Sequence, residues 1–336
     1  MDTQRRRAAR GFTLIELVIA LAASLTILEV SSHLIVQMTT DIKAVESRAS
    51  ADVDAKLLVD FLVRTVQPVG GGNVRPWYAV WIEDDCAPRA GLPDCQDSDR
   101  LTVLTLDSSF VAPECGVTAG GVNGPLTTTA GCLVAGMVNK HAVLTNSAGQ
   151  HRSVVITAIN SPGADQATFV TGQAAGLDQL PGSWAGATLT MVTVATYYWD
   201  SATHELKRWV DADADNTADA AEITVLADRV HDLQFAYGFD MINPADGRVS
   251  DTNSGTDEWQ FNSTSDTLSS GLLQVGTDIA ARSDLRLVAV GIMVGAPSPK
   301  LESTASLLNG PLRSVQNVHL RAARSLAYTR NLFIFN

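Results

Sequence analysis

The chain has 336 residues, 46% of them hydrophobic and 18% charged, with a formal net charge of −12. That acidic balance argues against nucleic acid as a direct partner, because phosphate binding calls for a basic patch. The length exceeds one average domain but also suits a single large β-rich one.

At the N-terminus Arg5, Arg6, Arg7 and Arg10 precede a long apolar run that starts at Gly11. Basic residues ahead of such a run set its orientation in a membrane. The most apolar part, Leu17 to Leu28, is shorter than the ~20 residues that span hydrocarbon. Extension to Val36 reaches that length and takes in Glu29, Ser31, Ser32 and His33. Glu29 and His33 stand one turn apart, a spacing that suits a mutual polar pair. A carboxylate at membrane depth, such as Glu16, costs roughly 2.5–3.5 kcal/mol and calls for a partner.

The junction Gly11-Phe12-Thr13-Leu14-Ile15-Glu16 and the run to Ala20 resemble the class III signal of type IV pilins and type II secretion pseudopilins. The resemblance implies a leader of residues 1–11, cut after Gly11 by a prepilin peptidase, and methylation of the new terminal residue to N-methylphenylalanine at Phe12. It also implies that Glu16 meets the N-terminus of the adjacent subunit during assembly. Loss of residues 1–11, which carry four Arg and one Asp, would remove a net +3 and leave −15.

No Gly or Pro interrupts Phe12 to Gln67, and Pro68 with Gly70-Gly71-Gly72 ends the pattern. A helix over 12–67 is expected, about 80 Å long at 1.5 Å per residue. Half of it would lie in a membrane or filament core, and half would pack on a globular domain over 73–336. The expected fold class is α+β: a pilin-like long N-terminal helix on a large antiparallel β-rich domain with disulfide-stapled loops.

Cys86, Cys95, Cys115 and Cys132 form no CxxC pair, so two disulfides are expected rather than a zinc site. Pairing between sequence neighbours, Cys86–Cys95 and Cys115–Cys132, is favoured among three connectivities. From Asn73 onward, β-branched and aromatic runs alternate with Gly, Pro, Asn, Asp and Ser clusters. Strands are expected at Tyr78–Ile82, Leu101–Leu106, Cys132–Val138, Ser153–Ile159, Ala167–Val170, Thr188–Tyr198, Glu205–Val210, Ile223–Leu226, Leu233–Phe239 and Leu285–Val294. Exposed loops are expected near 111–131 and 243–270. Val315–Asn336 reads as a helix or strand followed by a terminal strand. The order of pieces, with the Val230–Gly238 strand and the closing Tyr328–Asn331 segment, is similar to the larger minor pilins of the PilW type.

The sharpest motif in the globular part runs from Asp211 to Glu222. Asp211, Asp213, Asp215, Thr217, Asp219 and Glu222 fall at positions 1, 3, 5, 7, 9 and 12 of a twelve-residue loop. This resembles an EF-hand loop, in which alternate oxygens and a closing bidentate Glu hold Ca2+. Asn216 stands where Gly is expected, and Asn tolerates left-handed backbone angles. A second acidic stretch, Asp246 to Glu258, has irregular spacing and reads as solvated. The six His are scattered, and no nucleophile elbow, zinc-protease, phosphate-loop or dinucleotide pattern appears. No enzyme is expected. The expectation is a minor pilin, assembling with other pilins from the inner membrane into a surface filament or its tip complex. A type II secretion pseudopilin and a tip adhesin or DNA-uptake component are the alternatives.

Overall fold

The computed structural model describes residues 13–70, 73–83, 91–93, 96–121, 123–160, 166–171, 183–239, 249, 259–260, 285–308, 310 and 312–328. Gly11, Phe12, Cys86, Cys95, the second acidic stretch apart from Val249, and the last eight residues lie outside them. The chain divides into two compact units, Met1–Ala49 and Ser50–Asn336.

Helix α1 runs Leu14–Val66 without a break. In the first unit its apolar residues stand in the open: Leu17, Leu21, Leu25 and Leu28 are all more than half exposed. The second unit is different. There Ala51, Ala55, Val59, Leu62 and Val66 repeat at three- and four-residue spacing and are buried in one cluster with strand residues. Pro68 cannot continue the helix. Gly70, at a φ of +79°, turns the chain so that its N–H donates to Leu104 O at 3.0 Å.

A four-residue helix, α2 (Pro76–Ala79), leads into β1 (Val80–Glu83) and β2 (Arg100–Leu106). Then follow β3 (Glu114–Gly120), β4 (Leu126–Thr128), β5 (His141–Thr145), β6 (His151–Asn160), β7 (Gln166–Thr171), β8 (Thr188–Asp200), β9 (Glu205–Val210) and β10 (Ile223–Ala227). These ten strands form one antiparallel sheet. A second antiparallel sheet takes β11 (Val230–Phe239), β12 (Trp259–Gln260), β13 (Leu285–Ala305) and β14 (Arg313–Tyr328) in the order β12-β11-β13-β14. The Tyr237 hydroxyl ties the sheets together by accepting the Ile82 N–H at 2.6 Å and donating to Val80 O.

Strand β8 organises the first sheet. Its second half pairs with β2 on one side and β9 on the other, and its first half pairs with β3 and β5. Leu189 and Met191 belong to one hydrophobic cluster, whereas Val192, Val194, Tyr197 and Trp199 belong to the cluster that includes α1. Along one flank of β8 the end of β9 therefore abuts the start of β5.

Several expectations are corrected. The segment 111–131 holds β3 and β4 rather than a loop. Cys132–Val138 is no strand: Gly131 turns at a φ of +76° and Ala135–Met137 forms a short 3-10 turn. Strand β13 continues eleven residues past Val294, through Pro297, where it pairs with β14 alone and its register shifts between Pro297 and Glu302. Of the helix or strand expected from Val315 onward, the structure forms the strand, Arg313–Tyr328. His33 bonds Gln37 (Nε2 to Nε2, 3.3 Å), and no Glu29–His33 pair forms.

Candidate functional site

Two places carry chemistry, and they are described separately. The first is the start of α1. Thr13 donates its backbone N–H and its hydroxyl to one Glu16 carboxylate oxygen, both at 2.9 Å. The Glu16 N–H returns to Thr13 Oγ1 at 3.3 Å. This reciprocal arrangement is a capping box, which satisfies helix N–H groups that have no partner within the helix. Thr13-Leu14-Ile15-Glu16 spells that box, so the local sequence alone fixes where the helix begins. The consequence is positional: the Glu16 carboxylate is held toward the N-terminal end. Past it, α1 is the one helix among the described residues long and apolar enough to cross a membrane, with a mean hydropathy of 2.1 in its most apolar window.

The second place is the loop between β9 and β10, Asp211 to Glu222. One oxygen from each of Asp211, Asp213 and Asp215 lies within 4.8 Å of the others. Asp211 is buried and the other two are exposed. Ala214 and Asn216 hold left-handed angles, with φ of 59° and 63°, so alternate side chains turn to the same side. The turn is stitched by its own carboxylates: Asp213 Oδ1 accepts the Asp215 N–H at 3.3 Å, and Asp215 Oδ1 accepts the Thr217 N–H at 2.7 Å. Glu222 serves the loop base. Its two oxygens accept the Ala212 N–H (2.7 Å) and the Trp209 indole N–H (2.9 Å). The structure thus gathers Asp211, Asp213 and Asp215, leaves Thr217 and Asp219 outside that trio, and engages Glu222 as a clamp.

Two residues the sequence did not single out complete this place. His141 Nε2 meets Asp211 Oδ2 at 2.8 Å, with both side chains buried. The Lys140 ammonium donates to the Ala212 carbonyl. They are the first residue of β5 and the one before it, brought to the loop by the shared flank of β8. Seventy residues separate His141 from Asp211, and no local pattern announces such a pairing.

The structure joins Cys115 to Cys132, with Cα atoms 5.7 Å apart. The bridge fastens the start of β3 to the turn after β4.

Residues 6–28 match the family model described as the prokaryotic N-terminal methylation motif. No curated protein matches the chain at a significant level. Among solved structures, a type IV-like pilin from Thermus thermophilus is similar at 11% identity, covering 58% of this chain and 88% of its own, with a TM-score of 0.24. That overlap is too loose to bear on the fold. The chain thus carries a prokaryotic N-terminal methylation motif, and the long helix α1 continues directly from it.

Proposed function

We propose that the chain is a minor subunit of a type IV pilus, processed by a prepilin peptidase that cuts after Gly11 and methylates Phe12. The observation that carries this reading is the methylation motif at residues 6–28 running directly into the exposed apolar half of α1. An exposed apolar helix is stable in a bilayer or against other such helices. The inner membrane would hold the subunit first, and neighbouring pilins would take it up afterwards. Cleavage creates an amine at Phe12, next to the residue that already holds the Glu16 carboxylate. A neighbouring subunit's amine would find Glu16 oriented toward that end, and the charge pair would set register between helices.

Mass spectrometry of sheared surface filaments tests the reading. The mature chain should be present and begin at methylated Phe12. Retention of residues 1–11 in cells that possess the peptidase would overturn it. Correct processing with absence from pili, coupled to a secretion defect on deletion, would assign the chain to a type II secretion apparatus.

We also propose that Asp211, Asp213 and Asp215 bind Ca2+, which supplies a hard cation to offset three converging carboxylates. Calorimetric titration of the full chain in detergent should give one site, weakened at least tenfold in Asp213→Asn with Asp215→Asn. Both residues are exposed, so the fold should survive. No heat above buffer at millimolar calcium would end the proposal.

A further inference from the structure

Strand β14 ends the second sheet: it pairs with β13, and no other described strand pairs with its outer edge. Sixteen residues long, it contains no Pro, Gly or Lys, the residues that most often blunt such an edge. An unpaired edge presents alternating N–H and C=O groups, which template a further strand.

The side chains divide by face. Ala323 and Ala327 pack into the cluster that includes α1, and Arg321 bonds Asp52 at 3.0 Å. On the other face Ala322, Arg324, Leu326 and Tyr328 are exposed, Tyr328 by 56%. Along the row behind Arg324 lie Gly291 and then Gln234, so no acid stands opposite it. Arg324 has no ion pair among the described residues.

Charge identifies the occupant. Strand β14 carries Arg313, Arg321 and Arg324 and no acidic residue; Asp232 and Asp52 compensate the first two, which leaves Arg324 as its exposed, uncompensated cation. A second copy adding antiparallel about the exposed end of the edge would bring Arg324 against Arg324, and like charges across a strand pair destabilise it. We infer that the open edge of β14 accepts an extended acidic segment of a different protein chain as an added strand. Backbone pairing would supply affinity, and Arg324 beside Leu326 and Tyr328 would favour alternating acidic and apolar side chains.

The test uses the full chain in detergent micelles and two eight-residue probes, one alternating Glu and Val, the other Lys and Val. Amide hydrogen exchange of residues 313–328 is followed with and without probe. The Glu–Val peptide should slow exchange in β14 at least tenfold and weaken with salt. Arg324→Glu, on an exposed side chain, should lose that protection while keeping the same thermal midpoint. Three results would each overturn the inference. One is equal protection by the Lys–Val peptide. Another is complete protection of β14 in the free chain, which would mean a segment of its own covers the edge. The last is protection that rises with protein concentration alone, which would mean a second copy does.

Discussion

His151, at the start of β6, is fully buried, stacked on Tyr78 at 4.9 Å and bonded through Nδ1 to the Thr145 hydroxyl at 2.8 Å. Burial, reinforced by the nearby Arg75 charge, pushes its pKa down to about 3. The unfolded chain takes up that proton near pH 6.5, whereas the folded chain does so only near 3. Stability from this group is therefore complete above about pH 6.5 and falls as pH drops toward 3. At pH 5 the loss is about 2 kcal/mol, at 1.36 kcal/mol per unit. His231 acts in the same direction: burial, then His204 and Arg313, lower its pKa to about 4. Urea unfolding at pH 7.5 and 5.0 checks this. His151→Phe should remove about half of the decline between those values, and an unchanged decline would clear His151 of the effect. Single residues were unevenly legible. Thr13 and Glu16 are three apart, and their spacing is the interaction. His141 and Asp211 are far apart in sequence, and only the course of β8 joins them.

At the scale of elements, strands with β-branched runs announced themselves, as Thr188–Asp200 does. Those that stayed hidden draw their order from neighbours. Strand β3 reads ECGVTAG, too poor in large side chains to signal a strand. It forms because β8 pairs with its first residues and the Cys115–Cys132 bridge holds it to the segment following β4. The bridge closes a loop with a sequence separation of 17, which by chain entropy stabilises the fold by about 3 kcal/mol. The double change Cys115→Ser with Cys132→Ser should lower the unfolding free energy by about that amount and expose β3 and β4 amides to exchange. The strands β2 and β9, which pair with the other half of β8, should keep their protection. Equal loss across all four strands would show that β8 transmits the disturbance along its whole length.

For the whole molecule, the helix-plus-sheet class was legible because Pro68 and the glycines after it separate two unlike periodicities. What composition could not show is where along α1 the core begins. Every buried residue of that helix lies from Ala51 onward, and the second compact unit starts at Ser50. Among the described residues up to Ala49 no apolar side chain of the helix is buried, and exposed leucines and isoleucines in such number mark a surface suited to a lipid or protein partner. Deletion of residues 1–49 should therefore cost the globular part none of its buried apolar contacts. The truncated chain is expected to be soluble without detergent, to keep a β-rich circular dichroism spectrum, and to unfold in urea with a midpoint near that of the full chain in micelles. A further cut to residue 67 should behave otherwise. It would strip Ala55, Val59, Leu62 and Val66 from the cluster they share with Leu101, Phe235 and Val288. Removal of even one such side chain typically costs 2–5 kcal/mol, which makes loss of the folded state the expected outcome. If the chain starting at Ser50 needs detergent, or the chain starting at 67 remains cooperative, the second half of α1 is not the support on which the sheets are packed.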